Sequence, residues 1–183
     1  RPARMRNSRS AKQLQRSSSL APRGLVILVN FQDLQFQQSN TAAEMDSMLN
    51  AENYTYDRSI GSVRKYFSDQ SAGQYTPIFD VIGPVTLPQN MAYYGANDAS
   101  GNDVLPGDFV LHACSIAAEI PGVDFNNYDS NQDGWLDFVY LIYAGYDEAS
   151  SSISDALWPA SWYLPAATYF GNSSLTAYTD TLH

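Results

Sequence analysis

The first sustained apolar run is GLVILVNF, residues 24–31. Apolar residues follow one another without polar alternation, and three of them are β-branched. That pattern predicts a strand buried on both faces. In NTAAEMDSMLN (40–50), Ala42, Met45, Met48 and Leu49 fall at helical spacing. Thr41 with Glu44 three residues on forms a capping box. SVRKYFSDQSAG (62–73) predicts a second helix, with Ser62 as cap, a Val63–Tyr66–Phe67 stripe and Gly73 as its stop. QYTPIFDVIGPVTLP (74–88) alternates and is broken by Pro77, Gly83 and Pro84. It reads as one or two strands, partly confined to an edge. MAYYGANDASGNDVLPGD (91–108) reads as a long polar loop, and DFVLHACSIAAE (108–119) as a third helix opened by Asp108. LDFVYLIYAG (136–145) is another buried strand, and residues 146–183 show only scattered strand signals. This order of elements predicts an α+β fold, a mixed sheet with helices packed on it.

Charge divides the 183 residues in two. Residues 1–23 hold seven of the ten basic residues and no acidic one. They read as a flexible linker or the remnant of a pro-segment, ahead of a folded body at 24–183. That body sets 3 basic against 19 acidic residues, a formal −16. Such a surface excludes nucleic acid as a partner held by counterion release. It suits calcium, cationic substrates or simple solubility. No apolar run is long enough for a membrane span. The single cysteine, Cys114, reads as a small buried hydrophobe within the third helix.

Candidate chemistry concentrates in DSNQDGWLD, residues 129–137. Asp129, Asn131 and Asp133 occupy places 1, 3 and 5 of a calcium loop. Gly134 at place 6 permits the bend, and Asp137 stands at place 9. Place 12, a bidentate glutamate in an EF-hand, is Tyr140 inside a predicted strand. The stretch is therefore not an EF-hand. Two readings stay open: a calcium turn with further oxygens from Asp124 or elsewhere, or an Asx-rich turn ahead of a strand. Catalytic signals are thin. The two histidines are His112, in the third helix, and His183, and there is no H-E-x-x-H or G-x-S-x-G.

Four stretches occurring in order carry a family resemblance: GLVILVNFQDLQF (24–36), GSVRKYFSDQSAGQYTPIFDVIGPVTLP (61–88), VDFNNYDSNQDGWLDFVYLIYAGYDEAS (123–150) and DALWPASW (155–162). Together they resemble the N-terminal half of the catalytic domain of immune inhibitor A-type zinc metallopeptidases, which are secreted bacterial enzymes. The resemblance implies a zincin-like twisted sheet with an edge strand along the active-site cleft. It implies a catalytic zinc on an H-E-x-x-H helix lying after the matched portion. This segment alone would then be inactive, and the C-terminal remainder of the domain would be its partner. It also implies bound calcium, a role carried here to Asp129, Asn131, Asp133 and Asp137. Where family members often read W-P-H-x-W, this chain has Ala160 in the histidine's place. The expected function is thus part of a secreted zinc endopeptidase acting on proteins. The alternatives are a non-catalytic calcium-dependent binding or adhesion module on the same scaffold, and an inhibitor or pro-segment.

Overall fold

The computed structural model describes residues 21–37, 41–132 and 134–161. Its centre is a three-stranded sheet in the order β2-β1-β3. The strands are β1 (Arg23–Asn30), β2 (Ile78–Thr86) and β3 (Val139–Tyr143). Both neighbours run parallel to β1, with Val26 opposite Val81 on one side and Tyr140 on the other. Parallel neighbours need long crossovers, and helices supply them. Between β1 and β2 lie α1 (Thr41–Asn50) and α2 (Val63–Gln70). Between β2 and β3 lie α3 (Met91–Tyr94), α4 (Pro106–Ala118) and a 3-10 turn (Phe125–Tyr128). A last helical turn, α5 (Glu148–Ser151), follows β3. The fold is α+β, and its described strands are parallel.

The unbroken apolar run of β1 is explained by two separate packing layers. Val26 and Leu28 face one way, into a cluster with Leu49 of α1 and Phe79 of β2, against which Val63 and Phe67 of α2 pack. Leu25, Ile27 and Val29 face the other way, toward Phe109, Val110 and Ala113 of α4. All five are fully buried. Beyond the strand, Phe31 meets the rings of Tyr94, Phe109 and Tyr143 at centroid distances of 5.9–6.0 Å. Cys114 is fully buried in the same layer, and burial pushes its thiol up to about 12, so it packs rather than reacts.

Several local expectations are refined. Ser62 caps α2 by accepting from the Lys65 N–H at 3.2 Å, as expected. Thr41, expected as the cap, is the first described residue of α1, with Glu44 in its first turn. Residues 74–88 make one strand at the edge of the described sheet. Its register slips opposite Ile27–Val29, where Gly83–Pro84 intervenes, because proline has no N–H to give the ladder. α4 begins at Pro106, two residues earlier than expected. Proline suits the first helical position, and Asp108 sits inside the first turn instead of capping it. β3 is shorter than predicted; Leu136 is buried but precedes it.

The expected polar loop at 91–108 is organised. After α3, an Asx turn on Asp98 folds a tight hairpin in which Asn97 and Asp103 are bridge partners. This hairpin is stapled to the chain after β3. Asn97 Nδ2 donates to Glu148 and to the Ser154 carbonyl (2.6 Å), and the Trp158 N–H donates to Asp103 Oδ2 (3.0 Å). Asn97 Oδ1 and Asp103 Oδ1 are buried, and no described group donates to either. Burial, reinforced by nearby Glu148, raises the Asp103 carboxyl above its ordinary value despite the Trp158 bond.

Two predictions follow from this packing. Ile27→Ala opens a hole beneath the central strand and should cost about 2–5 kcal/mol in urea unfolding. Asp103→Asn keeps an acceptor for Trp158 and adds a donor for Asn97. A raised native pKa means that the cost of ionised Asp103 is absent below its unfolded value of roughly 4 and grows as pH climbs through the native value. The variant should therefore match wild type near that acidic limit and exceed it by about 1 kcal/mol at neutral pH, read from urea midpoints across pH.

Candidate calcium turn and the sheet that holds it

Residues 124–137 are built as a small, self-bonded unit. Asp124 caps the 3-10 turn by accepting from the Asn126 N–H at 3.0 Å. Phe125 and Tyr128 of that turn are buried against the α4 face of the sheet. Tyr128 is the anchor. Its hydroxyl lies beside the carboxylate of Asp80 of β2, which accepts from Arg23 Nε at 2.9 Å. Burial first, and the Asp80 charge second, push the Tyr128 phenol well above its usual value. The phenol thus stays neutral, and burial of its ring holds the entry to the turn against the sheet.

The turn proper leaves Tyr128 and returns to it, since the Asp137 N–H donates to the Tyr128 carbonyl at 2.9 Å. Within this loop, Asp129 Oδ2 accepts from the Gly134 N–H at 2.9 Å. Asp137 Oδ2 accepts from the Ser130 N–H at 2.9 Å and from its hydroxyl at 2.5 Å. Gly134 has φ +89, a conformation that side chains disfavour, so the glycine at place 6 serves the bend. The structure therefore brings Asp129 and Asp137 to the two ends of one closed loop, with Asn131 exposed between them. Asp133 lies outside the described residues. Among the described residues, no three His, Cys, Asp or Glu side chains gather as a metal set. Chemically the loop offers hard oxygens held by backbone donors, a donor set suited to calcium.

The other singled-out residues fall elsewhere. His112 is part-buried, with Nδ1 2.9 Å from the Tyr94 hydroxyl, and belongs to no group of three metal-ligating side chains among the described residues. Trp158 and Ala160 border an apolar slot that wraps the open edge of β3. His183 lies outside the described residues. What sequence reading missed is the stapling of distant loops: Asp33 Oδ1 accepts from the Met91 N–H at 3.0 Å, and Tyr143 donates to the Leu157 carbonyl at 2.9 Å. No local pattern marks these residues, because each partner is set by the crossover topology.

Comparison with known proteins places this geometry in a family. The model of the immune inhibitor A peptidase M6 catalytic domain matches residues 10–181. Immune inhibitor A of Bacillus thuringiensis subsp. alesti is 31% identical over 123 residues, which span 56% of this chain and 18% of the relative. The pre-pro-metalloprotease PrtV of Vibrio cholerae serotype O1 is 23% identical over 173 residues, spanning 73% of this chain and 18% of the relative. The chain thus spans under a fifth of the length of these relatives. With a match that runs from the basic segment through the turn and the last strand, the chain belongs to the immune inhibitor A family of M6 peptidases, within its catalytic domain.

Proposed function

We propose that this chain is part of the catalytic domain of a secreted zinc-dependent endopeptidase with a zincin-like sheet, and that residues 129–137 hold a structural calcium ion. The observation that carries the reading is the family match over residues 10–181. A metallopeptidase acts on protein substrates, and its chemistry needs a metal. The 183 residues hold two histidines, neither in an H-E-x-x-H helix, so this segment does not fit a catalytic zinc by itself. Its contribution is scaffold: the sheet, the stapled loops after β3 and the turn. No described helix is long and apolar enough to cross a membrane. The basic segment at 1–23 fits a joint between a pro-region and the folded body.

The calcium ligands would be Asp129, Asn131, Asp133 and Asp137. Their negative charge before a buried strand is relieved by a cation, and only Phe138 separates Asp137 from β3. Calcium would therefore stiffen the lead into β3 through the Tyr128 anchor. The ion supplies charge neutralisation; the turn's own N–H groups hold the carboxylates in place.

Two measurements check this. After chelator treatment, calcium at about 100 times its Kd should add about 2.7 kcal/mol of stability, raising the melting temperature by roughly 5–10 °C. Asp129→Asn and Asp137→Asn keep the acceptors for Gly134 and Ser130, so both should fold yet lose that response. An unchanged melting temperature in wild type means the stretch is an Asx turn alone. The natural full-length protein should lose casein hydrolysis in strong chelator and regain it with zinc; full activity in chelator rejects the peptidase reading.

A further inference from the structure

The order β2-β1-β3 contains a topological switch. The chain leaves β1 for β2 on one side and returns to place β3 on the other. In open parallel sheets the carboxyl ends of the strands, where the order changes side, are the usual place for a ligand crevice. Here it is present as a cavity of about 560 Å³, between residues 33–37 after β1 and residues 144–156 after β3. That volume lies within the range of small-ligand sites. It is distinct from the calcium turn, which enters β3 at the opposite end of the strand.

The lining has a definite chemistry. Leu34, Tyr146 and Ile153 are 38%, 74% and 49% exposed around it. Such apolar exposure at a concave mouth marks a binding surface. Two carboxylates, Asp33 and Asp155, stand among them. No lysine or arginine occurs in residues 24–57 or 66–183, so neither loop carries a cation to answer these charges. The space itself is kept open by Gly145, whose φ is +104. A Cβ there would come within 2.9 Å of Met91 and 3.1 Å of Leu34.

We infer that this crevice is a subsite for the lysine or arginine side chain of a bound peptide. The aliphatic stem of such a residue covers Leu34 and Ile153 while its charged head meets Asp33 and Asp155. The Tyr146 ring adds a cation–π face. A carboxylate ligand would be repelled, and a purely apolar one would leave the acidic groups poorly solvated. The inference rests on the peptidase reading for the peptide's role as substrate, but the binding chemistry is tested apart from hydrolysis.

The test is titration of the 183-residue chain with N-acetyl-Phe-Arg-Leu-amide, and with the same peptide carrying citrulline for arginine, followed by calorimetry and by Tyr146 NMR shifts. The arginine peptide should bind roughly five- to tenfold tighter at low salt, with the preference fading at high salt. Asp155→Asn and Leu34→Lys should each remove the preference without moving the melting temperature. Asp33→Asn, which keeps the acceptor for Met91, should weaken it. Equal binding of the two peptides, or a preference that survives Asp155→Asn and Leu34→Lys, overturns the proposal. So does a zero-length carbodiimide cross-link from Lys12 to Asp155 in the free protein, which would make the chain's own basic segment the occupant. Loss of casein hydrolysis as a property of the full-length protein would reject the peptidase reading and leave these binding results standing.

Discussion

The structure depends on one strand being dry on both faces. β1 has no solvent side, so each residue from Leu25 to Val29 must find apolar partners above or below the sheet. That demand recruits α1 and α2 to one face and α4 to the other. It also demands a paired strand on each side, because the backbone groups of a buried strand have no water to bond, and here both neighbours are parallel. Parallel neighbours in turn require long crossovers, and the crossovers carry the hairpin at 97–103, the turn at 124–137 and the loop after β1, with the loop after β3 beside them. The site geometry is thus a by-product of how the chain travels from one side of β1 to the other.

How much of this is legible in the sequence follows from the range of each interaction. β1 and β3 are readable because burial on both faces leaves a run of apolar residues with few β-breakers. Ser62 is readable because a cap acts over three residues. Asp108 misleads because an acidic residue near a helix start resembles a cap, whereas Pro106 had already begun the first turn. The hairpin at 97–103 hides within a polar stretch because its defining partners, Glu148 and Trp158, lie some fifty residues away in sequence. For the candidate site, the glycine at place 6 and the closing of Asp129 and Asp137 into one loop agree with the spacing. The placing of Tyr128 beside the Asp80–Arg23 pair does not show there, since it needs β1 and β2 to be adjacent.

The charge distribution acquires a structural meaning once the fold is known. The acidic body is not a uniform surface. Arg23 meets Asp80 at the amino end of β1, and Lys65 pairs with Asp69 on the exposed side of α2. The turn, the hairpin staple and the switch-point crevice have no lysine or arginine in their own stretches of chain. Each answers its negative charge differently. Backbone N–H groups serve the turn, an amide and raised proton affinity serve the staple, and the crevice offers its charge outward.

The pairing of β1 also sets a temporal order. Val26 cannot complete its ladder until Tyr140 has been synthesised, because β3 is the last of the three described strands and joins the far side of the first. Until then one edge of the most apolar segment in the chain is open. Contacts this distant in sequence slow folding and prolong exposure of sticky strand edges. A chain built this way has reason to remain unfolded, or sheltered, until the segment through Tyr143 is free to close. The same strand that secures the native state is then the chief hazard along the path to it.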